Sequence, residues 1–107
     1  MARVRAKQID RGAEFARQHH ATFGAAMRGL RKLDGLSLVR FAERLGISVT
    51  HMQDVEKDRR PVSVRRAVEW SRILEVPLPP LLRLVLQRKV DEAGAPVRVI
   101  VELHDAA

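Results

Sequence analysis

Residues 35–56 read G-L-S-L-V-R-F-A-E-R-L-G-I-S-V-T-H-M-Q-D-V-E, and no other stretch of the chain restricts its folding as much. Leu38, Phe41, Ala42 and Leu45 recur at the three-and-four spacing of a helix with one buried face. Ser37 can cap the start of that helix, and Gly46 can leave its end in the left-handed conformation that a residue with a Cβ resists. Ser48 offers a second cap, followed by a helix whose inward positions are Met52 and Val55. Two short amphipathic helices are therefore joined by Leu45-Gly46-Ile47-Ser48, a break tight enough to turn the second helix away from the first.

Flanking segments supply the rest of a small helical core. From Thr22, a candidate N-cap, Phe23, Met27 and Leu30 repeat at helical spacing until Asp34-Gly35 closes the first helix. Asp58 stands where the chain must leave the third helix, and aspartate tolerates left-handed backbone better than most residues. Pro61 and Ser63 announce a fourth helix carrying Val64, Ala67, Val68, Trp70 and Leu74. Pro77, Pro79 and Pro80 end it and open a fifth, running to about Lys89. Leu81, Leu82, Leu84, Val85 and Leu86 cover more of that helix than one core contact needs, which points to a second apolar contact.

Beyond the turn signal at residues 92–96, Val97-Arg98-Val99-Ile100-Val101-Glu102-Leu103 alternates and is β-branched, so it reads as a strand. A lone strand needs a partner for its backbone groups, and the simplest is the same strand of a second copy across a two-fold axis. Leu82, Val85, Leu86, Val97, Val99 and Val101 are accordingly the expected dimer contacts. Three segments result: a basic arm over residues 1–20 with hints of a short helix, a helical domain over 21–90, and a strand with its tail over 91–107.

With 107 residues and 46% hydrophobic content, the chain suits one compact domain with extensions. Twenty basic against thirteen acidic residues give a formal charge of +7, the balance of a molecule that meets phosphate polyanions. No cysteine is present, which excludes a disulfide scaffold and a thiolate zinc finger and fits a reducing cytoplasm. No apolar run is long enough to span a membrane. His19-His20 point in different directions on a helix and have no carboxylate or cysteine set to complete a metal site. Neither a nucleophile-base pair nor a phosphate-binding glycine loop is visible, so neither enzymatic activity nor a cofactor is expected.

The chain resembles the Xre/Cro-like, lambda-repressor-like helix-turn-helix family of transcriptional regulators over roughly residues 22–83. The resemblance rests on Phe23-Gly24, Leu30-Arg31, Gly35-Leu36-Ser37, Phe41-Ala42, Leu45-Gly46-Ile47-Ser48, Val55-Glu56, Arg59-Arg60-Pro61, Ser63, Leu74, Val76 and Leu81. It implies a mainly α, five-helix DNA-binding domain, here with the basic extension before it and the strand after it. Val49, Thr50, His51, Gln53 and Asp54 are implied as base readers at the start of the recognition helix. Their chemistry suits the role: Gln53 can pair with adenine, Thr50 can donate or accept, Val49 can touch a thymine methyl, and Asp54 can accept from cytosine. His51 can bond a base or phosphate and is expected to gain charge at mildly acidic pH.

Phosphate contacts are implied for Arg40, Lys57, Arg59 and Arg60, and for the caps Ser37, Ser48 and Ser63 at helix N-termini. Two positions depart from the family pattern. Leu38 stands where glutamine is usual, so that side-chain phosphate contact is lost, and Asp58 stands where glycine is usual.

The resulting expectation is a cytoplasmic, homodimeric repressor of a palindromic operator on double-stranded DNA. Two other readings stay open: an antitoxin-type autoregulator whose helix five and tail bind a partner protein (a toxin), and a packaging protein that binds nucleic acid without sequence preference. Arg3, Arg5, Lys7 and Arg11 form the arm that tracks a groove or carries no role.

Overall fold

The computed structural model describes Phe15 and residues 20–104. Over these residues five helices follow one another: α1 (Phe23–Leu33), α2 (Leu38–Leu45), α3 (Val49–Glu56), α4 (Val64–Leu74) and α5 (Leu78–Glu92). The four hydroxyl caps expected from the sequence are all formed. Thr22, Ser37, Ser48 and Ser63 each accept from the amide three residues on, at Ala25, Arg40, His51 and Arg66 respectively, at 3.0–3.1 Å. Each satisfies an amide that the first turn of a helix leaves without a backbone partner. Gly46 closes α2 at φ 71°, and the amide of Ile47 bonds back to the carbonyl of Ala42 at 3.0 Å. That closure sets the short break between α2 and α3.

The core is built from the inward stripe of each helix. Met27, Leu30, Phe41, Met52, Val55, Trp70, Leu74 and Leu81 are almost wholly buried, with α4 packed against α5 and α3 against both α1 and α2. Phe15, from within the expected arm, is also in the core and stacks on His20 with ring centroids 5.2 Å apart. The remaining arm positions, Arg3, Arg5, Lys7 and Arg11 among them, lie outside the described residues.

Three local features differ from the sequence reading. Glu75, in the left-handed conformation at φ 55°, closes α4 two residues before Pro77, the first of the prolines expected to end it. Helix α5 extends one turn beyond Lys89, to Glu92. Val85 is buried in the core of its own chain, since α5 turns it towards the interior, so it leaves the expected dimer seam. Leu82 and Leu86 are half-buried.

The expected C-terminal strand is not formed: among the described residues there is no strand, and 95–104 carry no regular structure. Alternation and β-branching favour extended backbone, but a strand also requires a neighbouring ladder, and the helices and loops of the described residues offer none. The side chain of Gln87 substitutes in part. Its Nε2 donates to the carbonyl of Val97 at 2.9 Å and its Oε1 accepts from the amide of Val99 at 2.8 Å, pinning the segment to α5.

Candidate nucleic-acid interface

Met52 and Val55 anchor α3 inward, so the helix turns the positions opposite them outward. Val49, Thr50 and Gln53 are exposed on that outer face, and Lys57 extends it just past the helix end. Two devices fix how the helix sits. Arg31 on α1 grips Glu56 with two guanidinium nitrogens, Nε to Oε2 at 2.8 Å and Nη2 to Oε1 at 3.1 Å, with the side chains only 18% and 7% exposed. This planar two-bond geometry fixes direction as well as distance, and the bond to Glu56 raises the pKa of Arg31.

The second device is a close backbone approach. A Cβ built on Gly24 would lie 2.5 Å from the carbonyl oxygen of Val55 and 2.7 Å from that of Glu56. Only glycine lets α1 come this near the end of α3. Asp58, at φ 57°, then reaches back: its carboxylate accepts from the amide of Gly24 at 2.9 Å and the hydroxyl of Thr22 at 2.7 Å. Arg88 of α5 donates to its carbonyl at 3.3 Å. The residue that replaces the family's usual glycine therefore places a carboxylate at the positive N-terminal end of α1.

The other implied base readers are less free. Asp54 is half-buried, with its carboxylate 4.0 Å from Arg59 and its carbonyl bonded to the amide of Arg59 at 2.8 Å. His51 is half-buried too, with Nε2 3.4 Å from Nη1 of Arg66. A guanidinium only donates, so Nε2 accepts and the imidazole is neutral. Burial lowers the pKa of His51, and the charges of Arg60 and Arg66 lower it further, against a smaller opposing effect of Asp54. The expected gain of charge in mild acid is thus displaced to lower pH, for a reason that lies nine and fifteen residues along the chain.

Around this face Arg40, Arg59 and Arg60 are exposed, as are the caps Ser37, Ser48 and Ser63. Each cap uses an acceptor lone pair for its own helix and keeps a hydroxyl proton to donate. Leu38 is half-buried and packed against the core. Sequence reasoning missed Arg28 and Arg66. Exposed Arg28 lines a cleft of about 190 Å³ with Gln53 and Lys57, and Arg66 both contacts His51 and lies over Trp70, 5.7 Å from the ring centre. Their one sequence signal is a basic residue facing outward from a capped first turn or an amphipathic helix. A separate groove of about 910 Å³ lies away from α3, between α5 and the C-terminal segment.

Nothing among the described residues is a helix long and apolar enough to cross a membrane. A family model described as helix-turn-helix, HTH_3, matches residues 27–81, just over half of the chain. No curated protein and no solved structure matches the chain. The matched stretch takes in α2, the Gly46 break and α3 together with α4, the elements that hold one short helix outward on a closed core. The chain belongs to the Xre/lambda-repressor-like helix-turn-helix family of DNA-binding transcriptional regulators.

Proposed function

We propose that the protein is a sequence-specific repressor that works as a homodimer, setting two copies of α3 into successive major grooves of a palindromic operator, about 34 Å apart. One observation carries this reading: α3 is clamped on its inner side by Arg31–Glu56 and Gly24, while Val49, Thr50 and Gln53 stay exposed on its outer side. A rigidly held helix with a free polar face can read base edges without first being ordered. Gln53 is the strongest discriminator, through a bidentate adenine contact, with Thr50 and Val49 beside it. Asp54 and His51 act at the margin of the face, where Arg59 and Arg66 already engage them.

Arg40, Lys57, Arg59 and Arg60, joined by Arg28 and by the hydroxyls of Ser37, Ser48 and Ser63, hold phosphates and set register. Occupying a promoter blocks polymerase with no further chemistry, and a DNA partner fits a cytoplasmic protein. Footprinting the upstream region of the protein's own gene tests the proposal. Two protected half-sites one helical turn apart are expected, whereas uniform protection of unrelated DNA at the same concentrations would show non-specific packaging instead.

A further inference from the structure

Among the described residues, the three most exposed large apolar side chains fall within one seven-residue stretch: Val97, Ile100 and Leu103, at 54%, 75% and 77%. Apolar groups left this far outside a closed core mark a contact surface. The backbone of the same segment is half used. One planar amide, that of Gln87, bridges the carbonyl of Val97 and the amide of Val99, as a residue of a parallel neighbour would, so the chain at Arg98 is extended. In extended backbone, successive residues turn their N–H and C=O to opposite edges. The carbonyl of Val97 and the amide of Val99 therefore face Gln87, and continuing the same alternation to residue 102 would set Arg98, Ile100 and Glu102 along the opposite edge. The backbone groups of these three have no hydrogen-bond partner among the described residues.

That edge is complementary to itself about Ile100. When a second copy is turned so that the two Ile100 residues oppose each other, Arg98 meets Glu102, Val99 meets Val101 and Val97 meets Leu103. An axis through Arg98 or Glu102 instead sets like charges face to face, which costs free energy. For a chain of net charge +7, a self-contact that matches acid to base offsets the repulsion between two copies.

We infer that the Arg98, Ile100 and Glu102 edge of one copy pairs antiparallel with the same edge of a second copy, across a two-fold axis through Ile100, with Gln87 holding each segment in register. This rests on the homodimer reading and names its surface. Because the chain has no cysteine, a single introduced thiol reports on one position. In the full-length protein, Ile100→Cys should cross-link under mild oxidation, since opposed Cα atoms in such a pair lie about 5.5 Å apart. Arg98→Cys should not, because its twin lies about 13 Å away along the ladder.

Sedimentation of charge variants gives an independent reading. Arg98→Glu alone should raise the dimer dissociation constant roughly tenfold, since both symmetric pairs turn repulsive at once, and adding Glu102→Arg should restore it. Equal cross-linking at 98 and 100, or a dimer that the charge swap neither weakens nor rescues, overturns the inference and leaves the homodimer reading intact. A wild-type chain that is monomeric both free and on its specific DNA overturns both.

Discussion

Asp58 holds a left-handed conformation that costs an L-residue about 1–2 kcal/mol, yet its carboxylate takes hydrogen bonds from Gly24 and Thr22. Bonds to a charged group contribute roughly 1.5–3 kcal/mol each, with the exposed Thr22 bond at the low end, so the hydrogen bonds outweigh the strain. Asp58→Gly should therefore lower stability, by about 1–2 kcal/mol in a denaturant titration, although it installs the residue usual at this position in the family. His51 gives a pH-dependent prediction. Its pKa is lowered in the folded chain from the usual 6.5, so as pH falls the unfolded chain takes up the proton first and the folded state loses stability. That loss begins near the unfolded value and levels off below the folded one. Thermal melts between about pH 7 and about pH 5 should show wild type losing stability relative to His51→Gln.

At the scale of elements, the position of α3 is decided by its contacts with α1. Glu56→Ala leaves the largely buried Arg31 without its partner and should cost about 3 kcal/mol, the low end for a broken buried pair because Arg31 keeps some solvent. Gly24→Ala forces the carbonyls of Val55 and Glu56 away from α1, so melting and operator affinity should fall together, whereas a purely local effect would lower melting alone. Much of this level is legible in sequence. Thr22, Ser37, Ser48 and Ser63 announce their helices because a cap acts on amides within three residues of itself. Val97 to Leu103 announce no such thing, because a ladder partner is a property of the surroundings, and here the neighbour is Gln87 on a helix. Val85 likewise shows that an apolar stripe reveals how much of a helix is covered but not which residues face its own core. At the reading head, the outward Val49, Thr50 and Gln53 follow from helical period alone, while the engagement of His51 by Arg66 arises from a packing of α4 that local sequence does not encode.

For the molecule as a whole, the charge of +7 makes DNA binding strongly salt-dependent, with counterion release setting the slope. Arg59→Ala should weaken binding to all sequences alike and flatten the logarithmic salt slope by about one unit for each half-site bound. The proposed two-fold dimer would tie the proposed base readers and phosphate anchors into one requirement, since sequence preference must then appear twice with inverted symmetry. The exposed face of α3 as the source of that preference is tested most directly by selecting bound sequences from random DNA with wild type and with Gln53→Ala. The expected result is an inverted repeat for wild type and, for the variant, lost preference at one base pair in each half-site with the other positions unchanged. Recovery of no shared sequence by wild type, or of the same preferences at every position by both proteins, would contradict it.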